Sequence, residues 1–215
     1  MPHPKLIITA DDYGMSPRFN QGILELATLG IVTGISVMIL RKYIRSQELL
    51  ALGIPLGLHL ELKTKASERD VHAQIQRFQK RFGTLPAYLD GHRHRHLIPE
   101  NLRCVLRVAR KWSLPVRSRL LEDRLLLKLR AVGSPDNFIS WHPARIPILE
   151  DRLRNAKQFA ISELVVHPGY YDKNCTYPYN KQREEELLFL RSPHFNKLIR
   201  PFRLVAYTHL IQKQR

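Results

Sequence analysis

Short apolar runs ending on polar residues alternate with helix-period segments along this 215-residue chain, and that alternation restricts the folds open to it. Leu6–Ala10, Gly34–Ile39, Leu56–Leu62, Tyr88–His92 and Glu163–His167 read as strands, rich in aliphatic residues and bounded by turn formers or charge. Leu114–Arg117 and Phe138–Trp141 are weaker runs of the same kind, and Arg203–Tyr207 closes the series. Between them, Ser67–Gly83 has the period of an amphipathic helix: Val71, Ile75, Phe78 and Phe82 share a face, and Gly83 is the stop. Ser16-Pro17 is an N-cap and first-turn proline for a helix bearing Ile23, Leu26 and Ala27 and closed by Gly30. Pro99 opens another helix, and Leu149–Ala160 and Gln182–Leu190 are two more. Eight strands alternating with helices predict parallel pairing, in a barrel or a doubly wound sheet. No linker, low-complexity tract or short repeat interrupts the pattern, so a single domain over residues 1–215 is expected.

At this length, 44% hydrophobic residues are enough to build a proper core. No apolar run approaches the length of a membrane span. The N-terminal Met1-Pro2-His3-Pro4-Lys5 lacks the features of a signal peptide. The two cysteines, Cys104 and Cys175, read as ordinary reduced thiols, which points to the cytoplasm. The net charge of +16 could serve nucleic acid, an anionic membrane surface or an acidic substrate. There is no recognisable nucleic-acid motif and no concentrated basic stripe, so a solvated basic surface is the simpler reading. Oligomeric state is open, with a homodimer as the candidate assembly.

In parallel α/β folds, chemistry gathers at the carboxyl ends of the strands. Here those ends carry Asp11-Asp12, His59, Asp90 with His92, and His167. Adjacent carboxylates raise each other's pKa unless a cation intervenes, and a divalent metal would let one ligate while the other stays free as a base. Taken alone, Asp11-Asp12 would be a strand end and a turn; the histidines are what give the pair partners. His59, flanked by Leu58 and Leu60, points to the opposite face from them. If Asp90 to His96 is extended, Asp90, His92, His94 and His96 fall on one side. Three imidazoles in five residues suit zinc or a similar ion, with some ligating and others orienting them or meeting substrate. His167 stands before the rigid Pro168-Gly169 turn, where proton transfer is feasible, and Arg183 could reach a substrate over the pocket.

The segments Thr9-Ala10-Asp11-Asp12-Tyr13-Gly14, Gly30-Ile31-Val32-Thr33, Gly57-Leu58-His59-Leu60, Asp90-Gly91-His92-Arg93-His94-Arg95-His96 and His167-Pro168-Gly169 together resemble the YdjC-like carbohydrate deacetylases. That family includes chitooligosaccharide deacetylase and hopanoid-associated homologues. The resemblance runs over nearly the whole chain. It implies a distorted (β/α) barrel of mostly parallel strands, related to polysaccharide deacetylases. It further implies one divalent metal ion, Mg2+ or Zn2+, held by Asp12, His59 and His92, with Asp11 as general base and His167 as acid. His94, His96 and Arg183 are then expected to contact substrate or to orient the ligands. The expected substrate is an N-acetylated sugar or glycolipid, from which acetate is released. Family members usually carry a longer insertion after the Gly-Leu-His-Leu strand, whereas Lys63–Ala66 here leads almost directly into a helix.

Two other functions fit the same residues. A metal-dependent phosphoesterase or nuclease would use the same Asp and His set, and the basic surface would suit its substrate. A non-catalytic binding protein on this fold would have no use for an intact acid, base and ligand set.

Overall fold

The computed structural model describes residues 3–211, so the ends of the expected 1–215 domain, Met1–Pro2 and residues 212–215, lie outside the described residues. Strands β1 (Lys5–Tyr13), β2 (Gly34–Val37), β3 (Leu56–Leu60), β4 (Leu89–Gly91), β5 (Asn137–Ile139), β6 (Ile161–Val166) and β7 (Arg203–Leu204) form one sheet. Helices α1 (Pro17–Thr28), α2 (Ser46–Ala51), α3 (Glu68–Phe82), α4 (Pro99–Lys111), α5 (Leu121–Leu129), α6 (Ile146–Ala156), α7 (Asn180–Leu190) and α8 (Pro193–Ile199) connect and cover it.

Every pairing is parallel, in the order β4-β3-β2-β1-β6-β5, as expected where helices return the chain between strands. β7 pairs with β1 at Lys5 and Leu6, alongside the stretch of β1 that precedes its pairing with β2. The expected eighth strand, Leu114–Arg117, is reduced to a single bridge between Leu89 and Val116. Pro115, which has no N–H to donate, sits in this segment. Among the described residues no strand joins it to β5, so the sheet curls as a half-barrel that stays open there.

β1, β2 and β3 are buried on both faces, which explains why aliphatic residues fill most of their positions without alternating with exposed polar ones. Inside the curl, Tyr88 stacks on Tyr207 at 4.0 Å between ring centroids. A Cβ on Gly57 would lie 2.2 Å from the Tyr88 ring, so the glycine of Gly57-Leu58-His59-Leu60 is required for that ring to fit. α3 carries a capping box from Ser67 and Asp70 and ends, as expected, on Gly83, at φ 75°. Ser16 caps α1 by accepting from the Arg18 N–H. Among the described residues no helix is long and apolar enough to cross a membrane.

Candidate active site

Successive residues of a strand point to opposite faces, so Asp11 and Asp12 could not both enter one pocket from a regular β1. They do so through a bulge. Ala10 pairs with Ile35 and Tyr13 with Val37, leaving one extra residue in β1, and Asp12 takes a left-handed conformation at φ 71°. Aspartate tolerates this region better than most side chains. Because all strands are parallel, His59 and Asp90 (paired in register) and His167, just past β6, reach the same edge of the sheet.

Asp12 Oδ1 lies 3.3 Å from His59 Nε2 and 3.1 Å from His92 Nδ1. These three donor atoms lie within 4.8 Å of one another and form a candidate cation cluster. His59 Nδ1–H donates to Asp90 Oδ1 at 2.9 Å, which turns Nε2 toward Asp12. The second oxygen of Asp90 accepts from Ser36 Oγ at 2.6 Å and meets Arg117 Nη2 at 2.8 Å. A carboxylate behind an imidazole fixes its tautomer and raises its basicity as a ligand. The other oxygen of Asp12 is bound by Arg183 Nη2.

Asp11, His59 and Asp90 also bring their donor atoms together, but a guanidinium already fills the space between the carboxylates. Arg117, fully buried, forks onto Asp11 at 2.6 and 2.9 Å and also reaches Asp90, Glu163 Oε1 and Thr9 Oγ1. Burial pushes the Asp11 carboxyl up, but Arg117 and His59 more than offset this and hold it well below the usual range. Asp12 is likewise pushed up by burial and held well down by Arg183 and by hydrogen bonds from His59 and His92. Four buried carboxylates (Asp11, Asp12, Asp90 and Glu163) thus face two buried guanidiniums, Arg117 and Arg183. The excess negative charge falls on His59: burial lowers its pKa, yet Asp90 and Asp11 raise it well above that of an ordinary imidazole.

The run after Asp90 does not stay extended. Gly91 is the last strand residue, and His92–His94 form a 3-10 turn with Arg93 and His94 both at φ 55°. The expected single side for Asp90, His92, His94 and His96 is therefore not formed. His92 joins Asp12. His94 packs edge-on to Phe138, 5.3 Å between ring centroids, and burial, reinforced by Arg117, lowers its pKa to about 4. His96 is fully buried behind Gly91 and donates from Nε2 to the Arg117 carbonyl at 3.2 Å. Neither belongs to the candidate cation cluster. Arg183 is also fully buried, with its guanidinium 4.2 Å from the Phe19 ring centroid, so it supports Asp12 from behind instead of spanning the pocket.

His167 is set by its turn: a Cβ on Gly169 would lie 2.8 Å from Phe19 Cα, so the Pro168-Gly169 backbone seats directly on α1. Its backbone N–H donates to Glu186 Oε1 at 2.8 Å. Burial lowers the His167 pKa, while the carboxylates of Asp12 and Asp11 pull it part of the way back. Burial also drives Glu186 up to about 7, against hydrogen bonds from His167 and Tyr179. Folded protein therefore holds a proton on Glu186 that the unfolded chain releases near pH ~4.3, so this residue lowers stability as pH rises toward about 7. Glu186→Gln keeps an acceptor for His167 and removes the titration. Urea unfolding should find this variant more stable than the parent at pH 8 by up to roughly 2–3 kcal/mol, with the gap closing toward pH 5.

Sequence reasoning missed Arg117 and Glu163 as site residues. Arg117 ends a run too weak to be taken for a firm strand, and Glu163 reads as the start of β6. The one signal pointing to Arg117 was positional, a polar residue closing an apolar run, as at Asp11 and His167. Above His92 a cleft of about 1020 Å³ opens, lined by Met15, Glu61 and Tyr177 and rimmed by Arg18, Arg41, Lys63, Arg93 and Arg95. The short connection after β3 is tied down by Asn101, which accepts from Ala66 N–H and donates to the Lys63 and Arg95 carbonyls.

The profile of the family described as YdjC-like protein matches residues 5–70 and 62–201. A carbohydrate deacetylase of Halalkalibacterium halodurans is 32% identical over 86% of this chain and 94% of its own length. A chitooligosaccharide deacetylase of Proteus mirabilis is 27% identical, with coverage of 96% and 98%. Among solved structures, a candidate cellobiose-phosphate cleavage protein of Enterococcus faecalis superposes with TM-score 0.82, at 25% identity, covering 98% of this chain and all (100%) of that one. In fold alone the likeness reaches a family 4 acetyl xylan esterase of Clostridium thermocellum, with TM-score 0.56 and 15% identity over 96% of this chain and 89% of that one.

Proposed function

The chain belongs to the YdjC-like protein family, and from that premise we propose that it is a metal-dependent hydrolase that removes the acetyl group from an N-acetylated sugar. The observation that carries this reading is the convergence of Asp12, His59 and His92 on one point beside an aspartate, Asp11, that is left out of the cluster. The deacetylases of H. halodurans and P. mirabilis support the reaction class. A chitooligosaccharide or a related glycan or glycolipid is the proposed substrate, and the cleft above His92 has room for more than one sugar ring.

The donor set fits a divalent cation. One carboxylate oxygen and two imidazole nitrogens present themselves together, and the surplus buried negative charge would be relieved by it. Asp12, His59 and His92 would hold the ion, with Asp90 and Arg183 fixing two of them from behind. When bound, a divalent ion supplies a polarised acetyl carbonyl and a more acidic water. Arg117 keeps Asp11 ionised, so its carboxylate is ready to take the proton of the attacking water. His167 starts neutral because burial disfavours its charge; the proton that Asp11 takes from the water passes to it and from it to the departing amine, which leaves Asp11 ionised again, and the carboxylates of Asp11 and Asp12 stabilise the charged imidazole in between.

The test is acetate release from chitooligosaccharides and N-acetylglucosamine glycolipids after chelation and separate add-back of Zn2+ and Mg2+. Acetate should appear only with metal. Phosphate release from nucleotides or DNA without any acetate would instead favour a phosphoesterase.

A further inference from the structure

Helix α5 turns its most apolar strip to solvent. Leu120, Leu121, Leu125 and Leu129 are exposed by 55%, 59%, 58% and 79%. Leu121, Leu125 and Leu129 recur every fourth residue and so lie along one line of the helix, while its two buried residues are Asp123 and Leu127. A helix of a globular protein ordinarily turns such a strip inward. Neighbouring leucines exposed to this degree in one strip mark an interaction surface more than ordinary surface scatter.

The charges around the strip narrow the partner. Arg119, Lys128 and Arg130 are exposed beside it and Arg124 is half-buried on its flank, against one exposed acid, Glu122. Asp123 is buried and occupied by the backbone N–H groups of Arg119 and Leu120. A second copy of this chain would set the same basic rim against itself, between molecules of net charge +16 each. Nucleic acid would engage the basic groups and leave the leucines in water. An anionic lipid surface uses both: leucines enter the boundary between headgroups and acyl chains, and Arg and Lys meet the lipid phosphates.

We propose that α5 and its flanking arginines dock the protein flat on an anionic membrane surface. The docking face adjoins the site. α5 follows Arg117 by a few residues, and Leu120 borders a hollow shared with Phe138, whose ring packs on His94. This inference does not depend on the deacetylase reading.

The test is co-sedimentation of the full chain with phosphatidylcholine vesicles containing about one quarter phosphatidylglycerol, and with phosphatidylcholine alone. Binding is expected to the anionic vesicles only, and to weaken about ten-fold or more when Leu121, Leu125 and Leu129 are together changed to serine. The melting temperature of that variant should stay near the parent's, since the removed side chains are exposed; if it unfolds, Leu125→Ser alone replaces it. No binding to anionic vesicles, or binding indifferent to the leucines, overturns the proposal. So does a concentration-dependent dimer that the leucine changes dissociate.

Discussion

Asp11→Asn is expected to lower turnover by roughly two to four orders of magnitude, the usual worth of a positioned general base. Metal affinity should change little, because Asp12, His59 and His92 are untouched. The contrast with Asp12→Asn is the informative part. That change removes the oxygen that lies 3.3 Å and 3.1 Å from the two imidazoles, so it should abolish metal retention and activity together. Asn at position 11 would also turn an amide N–H2 toward the donors of Arg117, so turnover must be compared on the folded fraction. Metal content by elemental analysis, measured beside acetate release, separates the two roles. Loss of metal from Asp11→Asn with retention in Asp12→Asn would mean that the assignments are reversed.

Arg117→Met should be among the most destabilising single substitutions in the protein. The guanidinium is fully buried and contacts Asp11, Asp90 and Glu163, so its removal strands carboxylates where water cannot reach them. Breaking a buried ion pair from one side typically costs about 3–5 kcal/mol. For a chain of this size that corresponds to a fall in melting temperature of roughly 6–20 °C. Arg117→Lys retains the charge without the two-pronged fork, and should lie between the parent and methionine. Thermal unfolding followed by circular dichroism reads both variants. A methionine variant that melts with the parent would show that the carboxylates share protons among themselves and do not depend on Arg117.

Much of the site could be read from the chain because a parallel sheet collects its strand ends. Asp11, Asp12, His59, Asp90 and His167 each close an apolar run or sit near its end, and parallel pairing carries them to one edge. His92 follows β4 directly and arrives with them. The reading failed where a side chain's direction depends on local backbone conformation. The run to His96 alternates as a strand would, yet it folds into a 3-10 turn at His92, and His94 and His96 stay outside the cluster. Nothing in the alternation of His and Arg distinguishes the two outcomes. Arg183, on a helix thick with charge, could be expected either to reach over the pocket or to orient a ligand, and packing against Phe19 and pairing with Asp12 bury it in the second position.

The sequence by itself determined the alternation of strands and helices, hence a parallel sheet, and placed most of the acidic and imidazole groups at its carboxyl edge. These follow from periodicity and turn chemistry, which act over a few residues. The resemblance gave Asp11 and Asp12 different expected roles, but only the tertiary structure supplies the physical difference between them. The bulge in β1 and the left-handed Asp12 bring both into the pocket, and then Arg117 claims Asp11 while His59, His92 and Arg183 gather around Asp12. Those partners lie tens of residues away in the chain, and what distinguishes the two carboxylates is which buried cation stands beside each. Coulomb interactions in a desolvated interior depend on distances that only the assembled fold creates.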